Sequence, residues 1–167
     1  MIRVTLSHSE EMTAHEIGFV RAKELNSTAN HVSRYDRHLN YHEYIAQLSE
    51  AVGSEMSVAK YFDITDFKPT HGTFKNAADV ASRIEVKWSR YQDGHLIIHK
   101  TDRDTDIAVL VVGKSPEYTL AGWIPVKAAK FKRYWSARDN NWWVTQNNLR
   151  PMENLLESDY AHAVAHI

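Results

Sequence analysis

Asp79 is followed six positions later by Glu85, inside the run Ile84-Glu85-Val86-Lys87-Trp88. If that run is a strand, its side chains alternate between two faces. Ile84, Val86 and Trp88 then point into a core, and Glu85 and Lys87 share the opposite face. Hydrolysis of a phosphodiester needs charge neutralised on the phosphoryl oxygens and water activated near neutral pH. Bound Mg²⁺ or Mn²⁺ does both, and carboxylates are its hard ligands. Asp79 and Glu85 are the candidate metal ligands, and the carbonyl of Val86 is a further oxygen between Glu85 and Lys87. Lys87 is the candidate group for orienting water and stabilising developing negative charge. A lysine beside two carboxylates stays protonated, which favours that electrostatic role over the role of general base.

The elements that must position these groups follow from periodicity. Residues 2 to 6 read as a short strand. Ser7 with Glu10 fits a capping box for a helix from about Ser9 to Leu25. Asn26 to Asn40 is polar and reads as a loop or arm. Asn40 with Glu43 opens a second helix to about Phe62, with Tyr44, Leu48, Val52, Met56 and Ala59 at helical spacing and Gly53 as a break or kink. Glu55, between Val52 and Ala59, borders that apolar stripe, so a third carboxylate faces the sheet or its edge.

After the connection Phe67 to Lys75 the period changes to that of strands: Val80, Ile84 to Trp88, Leu96 to His99, Ile107 to Val112 and Tyr118 to Ile124. Polar turns separate them, which predicts a meander. Trp142 to Gln146 suits one more strand and Met152 to Ile167 a terminal helix. The order predicts a single domain over 1–167 of mixed α/β class. Residues 1–40 add an N-terminal strand, helix and loop to a core over 41–167.

Gly53-x-Glu55 followed by Ala59-Lys60-Tyr61, then Asp79, then Ile84-Glu85-Val86-Lys87, resembles the PD-(D/E)XK nuclease superfamily. Gly94-His95-Leu96-Ile97, Val109-Leu110-Val111, Gly122-Trp123-Ile124 and Leu149-Arg150-Pro151 are similar to runs in small phage-encoded proteins of that kind. The resemblance spans about two thirds of the chain, from Tyr44 onward. It implies a restriction-endonuclease-like core, a central mixed β-sheet flanked by helices. It also implies a metal-dependent hydrolytic set of Asp79, Glu85 and Lys87 with Glu55 as a helix-borne helper, DNA as substrate, and a homodimer, since many members act as dimers. Two positions depart from the pattern. Ala78 stands where a proline usually precedes the first Asp, and Val80-Ala81-Ser82-Arg83 lacks a turn glycine. Asp63, Asp66 and Asp102 therefore stay open as alternatives to Asp79.

Lys127, Lys130, Lys132, Arg133 and Arg138 cluster with Phe131, Tyr134, Trp135, Trp142 and Trp143. Cations interleaved with aromatics suit phosphate contact and base stacking; a basic surface over inward aromatics is the alternative. Arg83 and Arg90 flank the proposed active strand and extend the patch.

The rest of the composition is ordinary: 43% hydrophobic, 25% charged, net charge −1. With no global positive charge, binding of a polyanion must come from a local patch. The absence of cysteine excludes disulfides and thiolate metal sites. No apolar run approaches a membrane span, and the start is not a signal peptide, so a cytoplasmic location is expected, that of the host if the chain is phage-encoded. His95 and His99, about 13 Å apart if on one strand, cannot share a metal. Asp102-Arg103-Asp104-Thr105-Asp106 imitates a calcium loop, but Ile107 and Gly113 stand where Gly and Glu belong, which leaves a polar turn. Two rival readings remain. One is a catalytically inactive nuclease-fold protein that binds nucleic acid or a phage or host protein. The other is a small interaction domain in which Glu85 and Lys87 form a surface ion pair worth about 0–1 kcal/mol.

Overall fold

The computed structural model describes residues 1–25, 39–72 and 77–164. Most of the expected arm (26–38), the end of the connection after the second helix (73–76) and the last three residues lie outside the described residues. The chain runs through β1 (Ile2–Thr5), α1 (His8–Leu25), α2 (Tyr41–Tyr61), β2 (Ile84–Ser89), β3 (Leu96–Ile98), β4 (Ile107–Lys114), β5 (Glu117–Pro125), α3 (Val126–Ala129), β6 (Trp135–Ser136) and β7 (Asn141–Val144). Both capping boxes form. Asn40 accepts the Glu43 amide at 3.0 Å while the Glu43 carboxylate accepts the Asn40 amide at 2.8 Å, which satisfies two of the amides that a helix start leaves open.

The fold is mixed α/β, with a four-stranded sheet in the order β1-β5-β4-β2 and a three-stranded sheet in the order β3-β7-β6. The expected meander is corrected. Within the four-stranded sheet β4 and β5 form a hairpin, but β2 and β4 lie parallel, Glu85 opposite Ala108 and Lys87 opposite Leu110. A parallel pair cannot be closed by a tight turn. The intervening chain therefore leaves the sheet, and β3 pairs with β7 in the second sheet instead.

β4 is buried along seven of its eight residues. Ile107, Val109 and Val111 pack with Val58, Ala59 and Trp123 in one core, while Ala108, Leu110 and Val112 pack with Leu96, Ile98 and Val144 in the other. Each fully buried side chain of this kind contributes about 1.5–3 kcal/mol.

Two glycines set how closely α1 and the sheet approach α2. A Cβ on Gly18 would lie 2.6 Å from the Ser49 amide nitrogen, so glycine lets the helices cross closely there. That crossing brings Arg21 of α1 to Glu55 of α2. Gly53 neither breaks nor ends α2; a Cβ there would sit 2.3 Å from the Tyr118 hydroxyl. The hydroxyl donates to Glu50 at 2.7 Å. Gly53 thus makes room for the sheet rather than a kink.

The expected terminal helix is also corrected. Over the described residues it is two 3₁₀ turns, Met152–Asn154 and Ala161–Ala163. The Ser158 hydroxyl donates to the Leu155 carbonyl at 2.7 Å and accepts the Tyr160 amide at 3.1 Å. Such side-chain bonds give the backbone a local alternative to the helix ladder. No described helix is long and apolar enough to cross a membrane.

Candidate active site

β2 is an edge strand. Ile84 is fully buried, with Val86 and Trp88 packed against the same core, and the alternation leaves Glu85 and Lys87 on the face of Ala108 and Leu110. The short segment before β2 folds back on its outer edge. Val80 and Ile84 form an antiparallel bridge, and Ala81 takes a left-handed conformation, φ 51°. The glycine-free turn is therefore tight, with alanine in the position that favours glycine. The Asp79 amide donates to the Ile84 carbonyl at 3.0 Å, and an Asp79 oxygen accepts the Val86 amide at 2.8 Å. The N–H and C=O of one strand residue face the same side. The Val86 carbonyl therefore faces the outer edge that Asp79 occupies.

Asp79, Glu85 and Val86 border a cavity of about 280 Å³, with Glu55 and Arg21 from the helices and Asp102 and Asp106 from the turn before β4. Arg21 grips both Glu55 oxygens at 2.7 and 2.9 Å and donates to the Thr70 carbonyl at 3.0 Å. Lys87 donates to Glu85 at 2.8 Å and to Asp102 at 2.9 Å. Asp102 is fixed in turn: its carboxylate accepts the His99 amide at 2.8 Å and its carbonyl accepts the Lys130 ammonium at 2.6 Å.

The charges are unevenly met. Burial alone would push the Lys87 ammonium down, but Glu85 and Asp102 outweigh it and hold it above the ordinary lysine range. Burial, and then Glu85, push the Glu55 carboxyl up against the pull of Arg21. Asp79 is pushed up to about 8 by burial and by the facing Glu85 and Glu55, with only the Val86 amide and Lys87 opposing. Among the described residues, Glu55, Asp79, Glu85, Asp102 and Asp106 confront Arg21, Arg103 and Lys87. Formally that is an excess of two negative charges.

These donors fit a hard divalent cation. All are oxygens, and Mg²⁺ is commonly held by one or two carboxylates with its remaining positions filled by water. Asp79, Glu85 and the Val86 carbonyl supply such a set. Glu55 does not extend it, because both of its oxygens are on Arg21. No group of three acidic or histidine side chains that could hold a metal occurs among the described residues.

The remaining predicted residues divide. Lys130 is not a free phosphate contact, since it bonds Asp102 and Asp104 and lies 5.9 Å from the Trp142 ring centre. Lys127, Lys132, Arg133 and Arg138 are exposed, with the Arg133 guanidinium 4.5 Å over Tyr134. Arg83 is exposed, 3.5 Å from His162, and Arg90 follows directly on β2. His95 and His99 sit at opposite ends of β3. Of the alternatives to Asp79, Asp63 and Asp66 do not border this cavity, whereas Asp102 does. Asp102 reaches Lys87 and Arg21 reaches Glu55, two cavity contacts that spacing did not show. The one available signal was three acids crowded into the turn from Asp102 to Asp106. No family model, curated protein or solved structure matches the chain.

Proposed function

We propose that this chain is a divalent-metal-dependent nuclease of the PD-(D/E)XK kind, with a restriction-endonuclease-like core, and that it hydrolyses DNA phosphodiester bonds. One observation carries the reading. Asp79 and Glu85 border the same cavity beside β2, and the Lys87 ammonium is bonded to Glu85. The mixed sheet with helices against it supports the same reading. Bound Mg²⁺ or Mn²⁺ supplies Lewis acidity toward the phosphoryl oxygens and toward water.

The chain's own groups do the rest. Asp79 and Glu85 hold the cation, with the Val86 carbonyl as a further oxygen. Lys87 has three N–H donors, of which Glu85 and Asp102 take two, and the third is available to orient water or a phosphoryl oxygen. Its raised pKa makes it an electrostatic group rather than a proton acceptor. Arg21 seals the helix side of the cavity by neutralising Glu55. Exposed Arg83, Lys127, Lys132, Arg133 and Arg138 attract the polyanion.

The test compares supercoiled and linear DNA incubated with Mg²⁺, Mn²⁺ or EDTA. Cleavage is expected with either metal and not with EDTA. Glu85→Ala is expected to abolish it, and Lys87→Ala to lower it by about 10²–10³-fold while folding persists. Undiminished activity in the Lys87 variant sinks the assignment. A second reading, a nuclease-fold protein that binds nucleic acid without cutting it, draws on the full engagement of Glu55 by Arg21. DNA bound in EDTA and left intact with every metal selects that reading.

A further inference from the structure

Apart from the cavity, the most distinctive surface is the segment between β5 and β7. From Val126 to Arg138 it carries five cations and no acid, in a chain whose net charge is −1. Lys130 is spent on Asp102 and Asp104. Lys127, Lys132, Arg133 and Arg138 are exposed, and none forms an ion pair with a described residue. Among them lie two aromatic rings that the core does not absorb: Phe131 is 66% exposed and Trp135 is 36% exposed. Trp135 stands edge-to-face with Trp142 at 4.8 Å, and the Lys100 ammonium lies 5.3 Å from its ring centre.

This surface is tied to the cavity wall. Lys100 immediately precedes Thr101, Asp102 and Arg103, which border the cavity. Lys130, next to Phe131, bonds the Asp102 carbonyl at 2.6 Å. Lys100 and Lys130 thus link the segment carrying the rings to the wall of the cavity.

We propose that Phe131 and Trp135 form a stacking platform for single-stranded nucleic acid, leading the strand to the cavity beside β2. A duplex keeps the faces of its bases against one another and must be unstacked before a ring can meet them, so exposed aromatic rings favour bases already out of the stack. Each base–ring contact of this kind is sequence-tolerant, and surrounding cations track the backbone. Asp139 is the single acid between β5 and β7 and its carboxylate accepts the Ser136 hydroxyl, so the exposed cations outnumber it and favour a polyanion over an apolar protein partner. The platform rests on the nuclease reading for what the strand is delivered to. Its own prediction concerns binding, which needs no metal.

The test uses the full chain in EDTA, with fluorescence anisotropy of a labelled thymidine oligomer, its uridine counterpart and a hairpin duplex. Single strands of either sugar are expected to bind more tightly than the duplex at equal salt. Phe131→Ala and Trp135→Ala are each expected to weaken single-strand binding by about tenfold, with duplex binding unchanged. Phe131→Trp, which keeps a ring on an exposed site, retains it. Equal losses on strand and duplex, no loss on either, or equal displacement by poly-glutamate of matched charge would each overturn the platform. Intact binding with no cleavage in any metal overturns the nuclease reading and leaves the platform standing.

Discussion

Glu55 on α2 and Asp79 before β2 border the same cavity, and both carboxyls are pushed up by burial. Their partners differ. Glu55 gives both oxygens to Arg21, whose own guanidinium is further held by the Thr70 carbonyl. Asp79 receives one amide, from Val86, and otherwise faces Glu85 and Glu55. A bidentate arginine–carboxylate pair is complete in itself and joins two elements. An acid held by one amide among other acids is incomplete without positive charge. The helix side of the cavity is thus closed by its own ion pair, and the strand side is where the cation of the proposed nuclease would sit.

The largest effect expected from this contrast is on stability. Arg21→Ala strands the Glu55 carboxylate in a buried site and is expected to cost about 3–5 kcal/mol in denaturant unfolding. Arg21→Met combined with Glu55→Leu is expected to recover most of that loss, because a well-packed apolar pair can replace a buried ion pair. If the double variant folds and still cleaves DNA, Glu55 is a wall and not a participant. A loss below about 1 kcal/mol in Arg21→Ala would place the pair among surface salt bridges and dissolve the contrast.

The strand side was the more legible in sequence. Period-two alternation over Ile84 to Trp88 separates Glu85 and Lys87 from the core, and the burial of Ile84 against the same core as α2 follows from it. The capping signatures place both helix starts, since the relevant contacts lie within four residues. Contacts distant in sequence were not legible. Nothing local in the sequence marks Arg21 as the guanidinium that closes on Glu55 across the Gly18 crossing. The parallel β2–β4 pairing depends on where the intervening chain finds a partner, and β3 finds it in β7. Asp102 looked like a failed calcium loop because its partner, Lys87, is on another element. The terminal segment suits a helix in sequence, whereas the hydroxyl of Ser158 diverts the backbone.

An intermediate effect is expected in the pH dependence of the metal-free protein. Asp79 sits at about 8 in the folded chain, against about 3.9 when unfolded. Between these values the folded state keeps a proton that the unfolded state has lost. Its contribution to stability is therefore full below about pH 4 and disappears as pH rises through 8. The slope from this one group is on the order of 1.4 kcal/mol per pH unit at most. Unfolding in EDTA between pH 5 and 8, values set by that window, is expected to show the native chain losing stability relative to Asp79→Asn. Mg²⁺ at the upper end is expected to restore the native chain and not the variant. Parallel pH profiles for the two proteins would show that the cavity does not hold Asp79 protonated.

The smallest effect is the most diagnostic of how the two sides cooperate. Asp102→Asn preserves the size of the side chain and an acceptor oxygen for the His99 amide, but removes one of the two carboxylates that hold the Lys87 ammonium. Glu85 remains, so Lys87 stays near its place and the chain stays folded. Cleavage is expected to fall by about tenfold, chiefly in kcat, since a positioning contact acts on the transition state more than on substrate binding. Burial presses the Lys87 pKa downward and Asp102 is one of the two groups opposing it. Losing that charge lowers the pKa, so the alkaline limb of the pH–rate profile moves to lower pH. Asp104→Asn is the matched control: it lies on the same turn and bonds Lys130 rather than Lys87, and its alkaline limb is expected to stay in place. A rate loss in Asp102→Asn without that movement would mean that the turn has shifted as a body, and that Asp102 supports the fold of the loop instead of the charge of Lys87.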